Sequence, residues 1–297
     1  MTKEKATFIG FFAIMLWSID TIINIYLARL PVFEVLSISW LLSFAIYALN
    51  LSFRREWKKV NQRPFIWLIG SLGICGAHCF MVAGLRLAPP EQVSTLAAIW
   101  PIWVVVIGGW LLNKEKLSWV STLGVMLGFV GVSLVITEGK LFSGFQVYYS
   151  LGYAFALLSS VLWTMYVVMT RRFANISSQM MGMCLGVGGV FALIYHISAE
   201  KFVAPLPLEM LLLTLKGGFT LTASYFCWDY AIKRGHFVLL NTLAYFNPIL
   251  TIALLALIGV SFAVLPIWIG ALLVVIGALM CARASRKVSN TSVIASD

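Results

Sequence analysis

Ten apolar stretches, each about 20 residues long, follow one another along the chain: 7–27, 33–53, 64–86, 91–112, 118–137, 149–170, 178–198, 211–232, 236–258 and 262–282. About 20 such residues is the length at which a helix crosses roughly 30 Å of hydrocarbon with its backbone polar groups satisfied internally. Ten crossings leave little of a 297-residue chain for anything else. The composition decides against the alternatives, with 61% of residues hydrophobic, 11% charged and a mean hydropathy of +0.95. A soluble domain carries about a quarter charged residues, and a disordered chain is poor in apolar ones. The expected fold is an all-α membrane protein with ten transmembrane helices.

The basic residues set the expected orientation. Sixteen of the 21 Lys and Arg fall on one side of a ten-span chain. They are Lys3 and Lys5, the group from Arg54 to Arg63, Lys114 and Lys116, Arg171 and Arg172, Lys233 and Arg234, and Arg283, Arg286 and Lys287. The other side holds Arg29, Arg86, Lys140, Lys201 and Lys216, the last expected to snorkel from the start of helix eight. Basic residues gather in cytoplasmic loops, so both termini are expected in the cytoplasm. The same bias explains the net charge of +10 without a nucleic-acid partner. Lys3 and Lys5 precede a run with no small-residue cleavage site, so this run is expected to be an uncleaved span rather than a signal peptide. The five cysteines lie in or at the ends of apolar segments, and no disulfide framework is expected.

A weak internal repeat recurs at a shift of about 146 residues. Leu16-Trp17-Ser18 matches Leu162-Trp163-Thr164, Pro101 matches Pro248, and Gly124 and Gly131 match Gly270 and Gly277. Each half holds an odd number of spans, so the second half enters the membrane from the opposite side. Inverted repeats are the plan on which many secondary transporters build two gates around one midplane site. The expected units are two five-helix halves, residues 1–140 and 141–287, and a disordered tail, 288–297.

These residues resemble a known family. The 5+5 plan, Leu16-Trp17-Ser18, Trp100-Pro101, Glu115-Lys116-Leu117 ahead of Gly124, Gly128 and Gly131, and Tyr245-Phe246-Asn247-Pro248 look like the EamA-type drug/metabolite transporter superfamily. The opening Lys5-Ala6-Thr7-Phe8-Ile9-Gly10, the Trp-Pro pair, and Tyr225 with Trp228 are similar to bacterial aromatic amino-acid exporters. The resemblance implies an inner-membrane exporter in which helices one, three, four, six, eight and nine line a cavity. Asp20 and Asp229 depart from those exporters, which have apolar or amide residues at both positions.

The helical faces supply the candidate binding residues. Trp17, Asp20, Thr21 and Asn24 share one face of helix one; Trp163, Tyr166, Val167 and Thr170 are their repeat mates in helix six. Two facing stripes of rings and polar tips suit an amphipathic solute. A mid-membrane carboxylate costs at least about 2.5 kcal/mol, which makes Asp20 a functional candidate. Asp229 is a second, although Lys233 at i+4 offers it an ordinary helix pair. His78, Trp100, Tyr225, Trp228 and Tyr245 complete the set. Cys75, His78 and Cys79 share a face that formally offers metal ligands, but the motif is short and reads as helix packing with His78 turned to the cavity. On helices four and nine, Gln92, Thr95, Ile99 and Trp103 form one stripe and Asn241, Tyr245 and Pro248 its counterpart. Pro101 and Pro248 are expected to kink them.

No nucleotide-binding loop or metalloprotease pair is present, and no enzyme activity or cofactor is expected. The expected function is secondary active export of a small metabolite by alternating access, with amino acids, aromatic ones first, as cargo. The alternative is proton-coupled export of organic cations or drugs, with Asp20 as the proton or substrate site. The expected partners are the substrate, the lipid bilayer and protons as a candidate coupling ion, and the expected state is a monomer or weak dimer.

Overall fold

A computed structural model describes residues 2–112, 118–139, 146–259 and 265–294. Glu115-Lys116-Leu117 and Lys140 lie outside the described residues. The described chain is helical: α1 (Lys3–Tyr26), α2 (Val32–Arg54), α3 (Pro64–Leu87), α4 in two pieces (Pro90–Ala97 and Trp100–Leu111), α5 (Trp119–Ile136), α6 (Ser150–Arg172), α7 (Met180–Ala199), α8 (Pro207–Arg234), α9 (Phe237–Leu257) and α10 (Leu265–Ile294). Among the described residues nine helices are long and apolar enough to cross a membrane. The protein is therefore a multi-pass membrane protein. The remaining apolar segment, Gln92–Gly108 in α4, is shorter. Residues 288–294, part of the tail expected to be disordered, continue α10.

Local chemistry explains where the helices start and bend. Pro64, Pro90 and Pro207 open α3, α4 and α8 at the first helical position, where a missing N–H costs nothing. α4 breaks at Ala98 and Ile99, and α9 at Ala244 and Tyr245, each just ahead of its proline. The kinks expected from Pro101 and Pro248 are thus present. α3 and α8 each contain a π-helical turn, Leu72–Gly76 and Lys216–Leu221, which advances the later side chains around the axis.

Small residues decide the closest packing. Cβ atoms built on Gly124 and Gly131 would stand 2.7 and 2.5 Å from the carbonyl oxygens of Gly277 and Gly270, so α5 and α10 touch backbone to backbone. Gly131→Val is expected to push them apart and cost about 1–3 kcal/mol, the usual range for overpacking. Thermal unfolding in detergent would show it, with Gly218→Ala, whose nearest neighbours are 3.9 Å away, leaving the midpoint unchanged.

Ion pairs tie the loops at the end of the bundle opposite the N-terminus, called here the far face. Arg29 grips Glu209 through two bonds of 2.8 and 2.5 Å, and Arg86 meets Glu200 at 3.1 Å. Buried Glu34 accepts from the Val203 amide at 3.1 Å. The near face, which carries the N-terminus, is closed by backbone caps. Arg171 donates to the Ile232 and Lys233 carbonyls at 3.0 and 2.8 Å, and the His236 amide donates to Thr7 at 3.0 Å.

Candidate functional site

A cavity of about 550 Å³ enters the bundle between α1, α3, α4, α5, α6, α8 and α9. Leu85, Ser94 and Ile136, which lie at the far-face ends of their helices, form its upper wall, so it opens toward that face. Its floor is a cluster of rings. The Trp163 ring lies 5.9 Å from Trp17, 6.2 Å from Trp100 and 6.3 Å from Tyr225, mostly edge to face. Such edge-to-face contacts hold rings in fixed orientations. Trp228, fully buried, packs beneath them 4.9 Å from Trp17 and 6.1 Å from Trp100.

The helix breaks position this floor. Ser18 of α1 shares its hydroxyl proton between the Ile14 and Asn247 carbonyls, each at 3.1 Å, and Thr164 of α6 shares its own between the Ser160 carbonyl at 2.8 Å and the Trp100 carbonyl at 3.1 Å. Each hydroxyl sits one residue after a floor tryptophan and anchors it against the break in α9 or α4. In α3 the π turn leaves the Ile74 carbonyl 2.8 Å from His78 Nδ1. A carbonyl only accepts, so Nδ1 carries a proton. In the neutral ring Nε2, 3.5 Å from the Tyr225 hydroxyl, is then an acceptor at the cavity wall.

The wall also carries a charge pair. Asp20 Oδ2 accepts from Lys216 Nζ at 2.6 Å and from Asn24 at 3.2 Å, and Oδ1 accepts from Thr220 at 2.9 Å. Asp20 lies six residues from the end of α1, about 9 Å of helix below the far face. Its side chain is 14% exposed, while that of Lys216 is 3% exposed. Lys216 does not snorkel as expected. α8 begins at Pro207, earlier than the apolar run suggested, so Lys216 lies inside the helix, at the first residue of its π turn, and not at the helix start.

Of the eleven residues expected at a site, Trp17, Asp20, Asn24, His78, Trp100, Trp163, Tyr225 and Tyr245 line this cavity, with Thr21. Tyr166, Trp228 and Asp229 do not. α6 runs toward the near face, so its stripe beyond Trp163 leaves the cavity, and Tyr166 and Thr170 border a separate small pocket there. Tyr166 donates to the Met181 sulfur at 2.9 Å. Asp229 pairs with Lys233 at 2.6 Å, both buried, and Lys233 also donates to the Ile176 carbonyl at 2.8 Å. That is the ordinary i,i+4 pair. On α4 the cavity face is Ser94, Ala97 and Ala98, not the Gln92 stripe, because Gln92 is taken by Tyr153. Asn241 turns back to the Phe237 carbonyl at 2.6 Å. Cys75 is directed at the Cys184 carbonyl of α7, 3.5 Å away, while His78 faces the cavity. Among the described residues no three His, Cys, Asp or Glu side chains are grouped to hold a metal.

The sequence reading missed Lys216, Thr220, Ser159 and Ser160. Lys216 left a signal, a cation inside an apolar segment, which ordinarily marks a functional position. The serines left none, since small hydroxyls also serve helix packing.

The chain matches the EamA-like transporter family over residues 5–137 and again over 150–283. It belongs to that family. Among EamA-like relatives, the protein named aromatic amino acid exporter YddG from Ancylobacter novellus is 29% identical over 289 residues, covering 97% of this chain and 100% of the relative. The Escherichia coli protein of the same name is 25% identical over 302 residues, with the same coverage. One solved crystal structure superposes with a TM-score of 0.89 at 27% identity, over 96% of this chain and 99% of that one. These EamA-like relatives are transporters, and this protein is a transporter rather than an enzyme.

Proposed function

We propose that this protein is a secondary active exporter of amino acids, aromatic ones first, which works by alternating access between two inverted five-helix halves, 1–140 and 141–287. The observation that carries the reading is the far-face cavity, floored by rings and closed beneath by Trp228 and the near-face caps. A cavity of about 550 Å³ falls in the range of small-molecule sites, roughly 300–1,000 Å³, and tryptophan rings suit an aromatic side chain.

Paired features support the inverted halves. The breaks in α4 and α9 and the Ser18 and Thr164 anchors recur at a shift of 146 residues, and the π turns begin 144 residues apart. Gly124 meets Gly277 while Gly131 meets Gly270, the reciprocal pairing expected across a two-fold axis in the membrane plane. The basic-residue asymmetry and the bacterial relatives favour an inner membrane with both termini cytoplasmic. In that orientation the cavity faces outward.

Lys216 argues against the organic-cation alternative, because it compensates the charge of Asp20. Counterflow in proteoliposomes separates the two readings. Labelled tryptophan is expected to exchange and a labelled quaternary ammonium is not, each measured with and without a pH gradient. Exchange of the ammonium alone would overturn the amino-acid assignment.

A further inference from the structure

Lys216 is a cation buried inside the bundle that makes one side-chain hydrogen bond among the described residues, to Asp20 Oδ2. An ammonium has three protons to donate, so the bond to Asp20 uses one of them. Asp20 is unsaturated as well. A carboxylate offers about four lone-pair positions; Lys216 and Asn24 take two on Oδ2, and Thr220 takes one on Oδ1. Even the Thr220 bond is shared, because that hydroxyl has a single proton and also lies 3.1 Å from the Lys216 carbonyl. The open position therefore lies on Oδ1 of a residue that lines the cavity.

We propose that Asp20 and Lys216 read the two charges of a zwitterion. Asp20 takes the α-ammonium of an amino-acid substrate at Oδ1, and Lys216 turns from Asp20 to take its α-carboxylate. This deepens the amino-acid reading above and rests on it.

Three features fit. The pair carries no net charge, so a zwitterion replaces one internal ion pair with two and leaves no charge uncompensated. An amine without a carboxylate, or an acid without an amine, fills only half of the site and leaves a buried partner unmatched. Lys216 opens a π-helical turn and is followed by Gly217 and Gly218, an irregular segment able to re-aim a side chain without breaking a regular helix. Finally, Trp17 lies one helical turn from Asp20 on the same face, so a ligand held by its charged end at Asp20 extends its side chain over the ring floor.

The test is equilibrium binding of tryptophan, tryptamine and 3-(indol-3-yl)propionate to the purified full chain. These ligands share the ring and differ in which charges they carry. The wild type is expected to prefer tryptophan. Asp20→Asn is expected to lose tryptophan and tryptamine by about tenfold or more, the weight of a charged hydrogen bond, and to gain affinity for the propionate, because Lys216 is then uncompensated. Lys216→Met is expected to lose tryptophan and the propionate by a similar factor and to gain affinity for tryptamine, because Asp20 is then uncompensated. The double variant D20N/K216M leaves no lone buried charge and is expected to fold and to bind all three ligands without preference. Equal losses of all three in both single variants, or a double variant that still prefers tryptophan, overturn the proposal. Failure of the wild type to bind any of the three overturns the amino-acid reading itself, a result distinct from both.

Discussion

Trp163→Ala is expected to weaken tryptophan binding on the order of a hundredfold, the loss a central aromatic anchor produces. Trp163 is the hub of the floor, in ring contact with Trp17, Trp100, Tyr166, Tyr225 and His78. Each edge-to-face contact contributes about 0.5–1.5 kcal/mol beyond buried area. Removing the ring therefore takes away the surface a substrate would rest on and releases the orientation of its neighbours. Trp163→Phe keeps an aromatic face and should lose about tenfold or less, in line with one such contact or two. Trp110→Ala, at a position 78% exposed on the outside of the bundle, should leave binding unchanged. Direct binding of labelled tryptophan distinguishes the three variants.

The largest stability effect is expected at the near face. Asp229→Leu leaves Lys233 buried with the Ile176 carbonyl as its remaining partner. Removing one member of a buried ion pair costs about 3–5 kcal/mol, because the other charge stays uncompensated. The double change Asp229→Leu with Lys233→Met removes both charges and should recover most of that loss. Thermal unfolding in detergent measures both. A single variant as stable as the wild type would show that the pair contributes nothing to closure of this face.

Much of this architecture was legible because membrane helices announce themselves through length and composition. The proline breaks in α4 and α9 followed from one residue each. Residues on regular helix, such as Trp17, Asp20, Thr21 and Asn24, reached a common cavity as their spacing implied. Departures arose where local geometry or chain direction intervened. The π turns at Leu72–Gly76 and Lys216–Leu221 shift everything after them around the helix, and no residue type signals a π turn by itself. Lys216 was misplaced for a different reason, since α8 starts at Pro207, ahead of its apolar run, and the lysine lies inside the helix and not at its start; with it the partner of Asp20 was missed. Tyr166 was grouped with the cavity through its match to Asp20 at the repeat shift, but α6 runs toward the near face beyond Trp163, so Tyr166 borders the near-face pocket and not the far-face cavity. Asp229 shows that an acid in an apolar segment can be fully accounted for by a lysine one turn later.

The most direct test of the account is labelling of a single cavity position. Ala97 sits on the cavity wall in the first piece of α4. In oriented vesicles, Ala97→Cys is expected to react with a membrane-impermeant maleimide added from the far face, over the background of the native chain. Saturating tryptophan should slow that reaction, and glycine, which offers no ring to the floor, should not. Labelling at the same rate with and without tryptophan would contradict the assignment of this cavity as the substrate site.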